Sequence, residues 1–214
     1  MFNHIFAPYY SGDESLPSSW HTCVLSDVCH IKGGKRLPAD CEFSEGCTDH
    51  PYIRIRDMYQ GKYIELSNDF EYIDEPVFLQ ISRYTVSAGD IIIAIVGITS
   101  GEVAIIGDTL EGANLTENCV KLTNFQKVTP EYIYCYWQYL RNSGGIDPLL
   151  VGAAQPKLPM YNIQSVPILI PDQDTMQLFE KRSATISARV GANLNEIHKL
   201  QELQNLMVSR LSSH

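Results

Sequence analysis

Between Gln173 and Leu211 the chain has no proline and one glycine, Gly191. Apolar residues recur there at Met176, Phe179, Ile186, Val190, Leu194, Ile197, Leu200, Leu203, Met207 and Leu211, mostly three or four positions apart. That spacing puts them on one side of an α-helix. A helix of ~40 residues is ~60 Å long at 1.5 Å per residue, more than one small domain covers. Its apolar stripe therefore calls for another helix, in a coiled coil or bundle. The candidate interface is Ile186, Val190, Asn193, Leu194, Ile197, Leu200, Gln204, Met207 and Leu211, where Asn193 and Gln204 interrupt the seam as polar residues do when register or partner is specified. A helix folded back on its own domain is the alternative. Asp172, just after Pro171, suits the capping position at the helix start.

What precedes the helix has room for one domain. A chain of 214 residues supports a real core plus such an appendage. With 44% hydrophobic and 19% charged residues it belongs with globular rather than disordered chains. The longest apolar run, Ile91 to Ile98, is far short of the ~18 residues that span a membrane. Met1-Phe2-Asn3-His4-Ile5 lacks the basic-then-apolar pattern of a signal peptide, so a cytoplasmic location is expected. The six cysteines are then read as reduced thiols. Cys23, Cys29, Cys41 and Cys47 crowd near His21, His30 and His50, but none of the usual zinc-ligand spacings occurs, so no metal is expected.

Along the chain, residues 1–15 lack a period and read as an arm, containing Pro8 and Gly12. His21 to Ile31 reads as a strand followed by a helical turn, broken at Gly33-Gly34. Pro51 to Met58 alternates apolar and charged residues, the period of a half-buried strand, which would project Arg54 and Arg56 from one face. Such a pair of guanidiniums suits an anion or a base edge; pairing with local acids is the alternative. Ile91 to Val96 is β-branched and follows a Gly-Asp turn, so it predicts a buried strand, with Glu102 to Ile106 returning beside it. Asn114 to Asn118 reads as a turn before a short strand from Cys119 to Leu122. Thr129-Pro130 opens a buried aromatic helix running to Leu140. Val166 to Pro171 is short and extended.

The net charge is −9. Residues 1–161 carry 11 basic and 20 acidic residues, and the remainder carries 5 of each. This argues against a strong non-specific DNA binder, because phosphates need Lys and Arg. The cations nevertheless cluster, at Lys32, Lys35 and Arg36 and again at Arg54 and Arg56. Chemistry-bearing motifs are missing. No Pro-Pro loop of an amino-methyltransferase occurs, no Lys has Asp or Glu two positions before it as in most metal nucleases, and Gly33-Gly34-Lys35-Arg36 lacks the upstream glycine and following Ser or Thr of a P-loop. No G-x-S-x-G elbow is present. No catalytic residue is assigned.

In order along the chain stand Leu16-Pro17 with Trp20, Leu25-Ser26-Asp27-Val28, Gly34-Lys35-Arg36-Leu37-Pro38, Tyr52-Ile53-Arg54-Ile55-Arg56-Asp57-Met58, Gly89-Asp90-Ile91-Ile92 through Gly101, Asn114-Leu115-Thr116-Glu117-Asn118, Gln155-Pro156-Lys157-Leu158, and Val166-Pro167-Ile168-Leu169-Ile170-Pro171 before the long helix. This series resembles the specificity subunits of type I restriction-modification systems. The resemblance implies an α+β fold, with a β-rich mixed target recognition domain over 16–171 after the arm 1–15. A conserved long helix over 172–214 would follow and form an intermolecular coiled coil. It implies a protein without catalysis or cofactor of its own. Such a subunit reads double-stranded DNA for modification subunits, which methylate adenine with S-adenosylmethionine, and sometimes for a restriction subunit that cuts. The DNA contacts it implies are Lys32, Lys35, Arg36, Arg54, Arg56, Thr99, Asn114, Asn118, Gln155 and Lys157, with Lys35 and Lys157 on phosphates, the two arginines on guanine edges or phosphates, and the amides on base edges. Thr175-Met176 stands where the family often has Glu-Gln. Full subunits carry two recognition domains and two helical regions, so two copies of this chain paired through their helices would restore the arrangement and read a palindromic two-part site. A non-enzymatic protein-interaction module with the same dimerisation helix, and an enzyme using the early Cys/His cluster, are the alternatives.

Overall fold

β-Branched runs become strands here, and proline or glycine ends them. The computed structural model describes residues 1–212, except for the side chains of 188, 192, 194, 195, 198, 201, 202, 205, 209, 211 and 212. Two compact units result, Met1–Asp172 and Gln173–His214.

The first unit opens with two short helices, α1 (Phe2–Ile5) and α2 (Ala7–Ser11), then β1 (His21–Val24), β2 (His30–Gly33), β3 (Pro51–Ile53), β4 (Tyr63–Ile64) and β5 (Glu71–Tyr72). Helix α3 (Glu75–Ile81), strands β6 (Ile91–Ala94), β7 (Val103–Ile106), β8 (Asn114–Leu115) and β9 (Cys119–Thr123), helices α4 (Pro130–Asn142) and α5 (Met160–Gln164), and strand β10 (Pro167–Ile170) complete it. The architecture is mixed α+β. A five-stranded sheet runs β2-β9-β6-β7-β4, a three-stranded sheet runs β5-β3-β8, and β1 pairs with β10.

The predicted central hairpin is present. Strands β6 and β7 pair antiparallel, Ile91 with Ile105 and Ile93 with Val103. All four residues of each strand are buried, because both faces of the sheet are covered. One face carries Ile92, Ala94, Ala104, Ile106 and Cys119 into a core shared with Ile53, Met58 and Leu115. Helix α4 packs on β7, and Trp137 Nε1 donates to the Gly101 carbonyl at 2.9 Å. As predicted, Thr129 caps that helix, its Oγ1 accepting from the Tyr132 amide at 3.4 Å, with Pro130 in the first turn.

Two local expectations are corrected. Residues 1–15 are not a free arm. Phe2, Phe6 and Tyr10 are spaced four apart, so one helical face brings them onto α4: the Phe6 ring meets Tyr132 edge-on at 4.9 Å, and Tyr10 stacks on Tyr136 at 4.3 Å. Pro8 and Gly12 dominate the sequence pattern, yet Pro8 sits harmlessly in a first helical turn and Gly12 ends it at φ +81°. The alternating segment Pro51 to Met58 is a strand only to Ile53; Ile55–Gln60 winds into a 3₁₀ helix. Asp57 drives that turn, its buried carboxylate accepting from the Arg54 amide at 2.7 Å.

The second unit is one helix, α6 (Gln173–Ser212), of 40 residues. Ile186, Ile197, Leu200, Leu203, Leu206, Met207 and Val208 are each at least half exposed on it. Ile186, Val190, Asn193, Ile197, Leu200, Gln204 and Met207 follow alternating steps of four and three, the spacing of a heptad seam. Leu194 and Leu211, both candidate interface residues, lie outside the described side chains. No described helix is long and apolar enough to cross a membrane.

Candidate nucleic-acid interface

One end of the five-stranded sheet gathers segments far apart in sequence. Strand β2 ends at Gly33, opposite Val120, and the Gly34 amide continues to the Cys119 carbonyl at 3.0 Å. The Lys35 amide then donates to the Leu115 carbonyl at 2.8 Å. From below, the buried Tyr52 hydroxyl donates to the Lys35 carbonyl at 2.6 Å. The turn Thr116–Asn118 comes next, its Asn118 carbonyl accepting from Ile95 at 2.9 Å. Past β6, the Gly97 amide and the Ser100 hydroxyl both donate to the Pro156 carbonyl, at 2.8 and 3.3 Å. Val151 and Lys157 exchange two backbone hydrogen bonds, at 2.8 and 2.9 Å, and so close a small hairpin. Lys157 is also bridged to Val96.

Six of the ten sequence candidates therefore share this sheet end: Lys35, Arg36, Thr99, Asn118, Gln155 and Lys157. Lys35, Arg36, Gln155 and Lys157 are exposed; Thr99 and Asn118 are half-buried. The Thr99 hydroxyl donates to the Val96 carbonyl at 3.2 Å, which leaves its oxygen lone pairs free to accept. Arg36 meets Glu117 at 3.4 Å. Lys32 lies further back along β2, directly opposite Lys121.

Arg54 and Arg56 do not share a strand face, because the chain turns into its 3₁₀ helix after Arg54. They still converge. Both guanidiniums reach Glu71 Oε1, at 3.2 and 2.9 Å, and Arg54 also lies over the Phe43 ring at 5.5 Å. Arg56 also meets Asp57 Oδ1 at 3.7 Å, so both arginines are paired with local acids, the alternative that the sequence left open. Burial pushes the Asp57 carboxyl up, while the Arg54 amide and the Arg56 charge pull it down. Asn114 is a different case: it is fully buried and its Nδ2 donates to the Ile81 carbonyl at 3.0 Å. It ties β8 to the end of α3 and is not placed to reach a base edge. Its turn-like neighbours suggested exposure, but the short pairing with β3 takes it inward.

The early Cys/His cluster does not assemble as a site. Among the described residues no three of His, Cys, Asp and Glu are grouped as a metal ion requires. Burial pushes the Cys29 thiol up to about 12 and raises Cys119 as well, so both stay protonated and poorly nucleophilic near neutral pH. Sequence reasoning missed Arg83, Tyr84 and Lys121. Lys35 and Arg83 both lie over the Tyr84 ring, at 5.9 and 5.4 Å. Ser82–Tyr84 is a short 3₁₀ turn with no pattern of its own, so only the tertiary fold reveals the grouping.

The family described as the type I restriction modification DNA specificity domain matches residues 17–207. No curated protein matches the sequence. Among solved structures, one described as the structural basis of complex assembly and conformational transition of the type I R-M system is similar at TM-score 0.62 and 15% identity, over 84% of this chain and 41% of that one. The HsdS subunit from Thermoanaerobacter tengcongensis is similar at TM-score 0.55 and 15% identity, over 84% of this chain and 40% of its own. The chain thus spans about two fifths of the length of these structural relatives.

Proposed function

The chain belongs to the type I restriction-modification DNA specificity family, and from that premise we propose that it is a non-catalytic reader of double-stranded DNA. The sheet end would face the duplex. Thr99, Asn118 and Gln155 would address base edges in the major groove, while Lys35, Arg36 and Lys157 set position on phosphates. Arg54 and Arg56 would join once DNA competes for Glu71. The observation that carries this reading is the convergence of four separate segments on one sheet end. Each is pinned by backbone hydrogen bonds and each offers a polar or cationic side chain. A rigid frame with exposed polar tips suits sequence reading, because the tips need little ordering on binding.

In this reading the helix α6 couples the reader to other subunits. Its seam would pair with a second copy in a coiled coil and dock modification subunits, which would hold S-adenosylmethionine and methylate adenine; a restriction subunit would join where cutting follows. The acidic chain would bind DNA weakly until such partners add contacts of their own.

Selection from a library of randomised duplexes tests the reading, using the full chain with its co-purified modification subunit. One two-part motif should be enriched. Replacing both Arg54 and Arg56 by alanine should weaken that enrichment at least several-fold; unchanged enrichment would make the pair structural. Recovery of the library without any preference would favour a protein-interaction module instead.

A further inference from the structure

A cleft of about 390 Å³ opens beside the sheet-edge strand β2. Lys32 and Lys121 line it from paired strands, and Arg83, Tyr84 and Thr85 line it from the turn after α3. Lys32 and Lys121 are direct antiparallel partners, so their side chains leave the same face about 5 Å apart at Cβ. Like charges in that relation destabilise a sheet.

The structure neutralises only one of them. Lys121 is largely enclosed, meeting Asp90 Oδ2 at 3.2 Å and donating to the Thr85 carbonyl at 2.7 Å. Asp90 is itself buried and also accepts from the Ser87 amide. Lys32, Lys35 and Arg83 are exposed and engage no carboxylate among the described residues. Tyr84 keeps Lys35 and Arg83 together by cation–π contact. With cations already against its ring, Tyr84 acts as a spacer rather than a platform for a stacked base. In a chain of net charge −9, three unpaired cations around one cleft form a place prepared for an anion.

We propose that this cleft seats a phosphate of the DNA backbone, held by Arg83 and Lys32 with Lys35 at its rim. The inference rests on the DNA-reading function and adds an anchor to it. Lys35 sits between the cleft and the sheet end, since its amide is bonded to Leu115, which also lines the cleft. A phosphate fixed here sets the register at which the sheet end meets the bases.

The test is fluorescence anisotropy of the full chain with its co-purified modification subunit on a 30-base-pair duplex (about three helical turns), at stepped KCl concentrations. Each phosphate contact contributes about 0.9 to the slope of log affinity against log salt. Lys32→Gln with Arg83→Gln removes both cations from that one phosphate and should lower the slope by about 0.9 and weaken all duplexes by a common factor, leaving sequence preference intact. Lys32→Arg with Arg83→Lys should restore the slope. If the paired variant does not fold, Arg83→Gln alone is read, with the slope expected to fall by up to about 0.9. A parent that binds while its variants keep the parental slope overturns the cleft assignment alone. A parent that binds no duplex overturns the DNA-reading function and the cleft with it.

Discussion

Gly34→Ala is expected to cost about 3–7 kcal/mol of stability and to abolish DNA capture, while Gly33→Ala leaves the stability within about 0.5 kcal/mol of the parent. The contrast between two adjacent glycines follows from what surrounds them. A Cβ on Gly34 would lie 2.1 Å from the Thr116 carbonyl oxygen, 2.4 Å from that of Leu115 and 2.7 Å from the Thr116 carbonyl carbon. All three are backbone atoms, so no side chain can swing aside. The strand end must part from the turn. That movement breaks the hydrogen bonds from Gly34 to Cys119, from Lys35 to Leu115 and from Tyr52 to Lys35. Three such bonds are worth about 0.5–1.5 kcal/mol each, and overpacking adds about 1–3 kcal/mol. Against a total stability of about 5–15 kcal/mol the loss is severe. At Gly33 nothing lies within 4 Å of a Cβ. Urea unfolding of both variants measures the difference. A Gly34→Ala protein as stable as the parent would show that this close approach does not hold the site.

The second large effect concerns the helix. Ile197→Glu with Leu200→Glu should convert a two-chain species into single chains at micromolar concentration, with the unfolding of the globular unit unchanged. Ile197 is 50% and Leu200 58% exposed, and both fall on the heptad seam. Burying one such side chain is worth about 1.5–3 kcal/mol. Each is already about half buried on its own helix, so the four side chains of two copies forfeit about 3–6 kcal/mol of coupling before charge repulsion is added. At 1.4 kcal/mol per tenfold the dissociation constant rises by about two to four orders of magnitude. Sedimentation equilibrium reads this directly. A parent already at one-chain mass would contradict self-pairing through α6.

How much of this was legible in the sequence depended on the range of the interactions. The central hairpin and the helix α4 are local: Ile91 to Ala94 announces a doubly buried strand, and Thr129-Pro130 announces a helix start. The long helix was equally plain, because nothing in it breaks the period. Alternation misled at Arg54 and Arg56, where Asp57 accepts the Arg54 amide and winds the chain. Polar composition misled at Asn114, since strand pairing with Tyr52 decides its burial. In the first residues, two strong helix punctuators hid aromatics spaced for one helical face. Of the cationic cleft only Lys32 and Lys35 were visible. Lys121 reads as one polar residue in a strand, and Arg83 meets it only through the tertiary fold. Gly34 was legible as a break in a strand; that it is needed for close backbone contact with Thr116 was not.

The measurement closest to the central claim is a map of methylated adenines across the source genome, with the gene for this chain intact and deleted. A DNA reader that directs modification predicts one two-part motif methylated throughout the genome in the first case and unmethylated in the second. Restoring the intact gene should restore the marks, and restoring the Gly34→Ala form should not. Identical methylation with and without the gene would contradict the account.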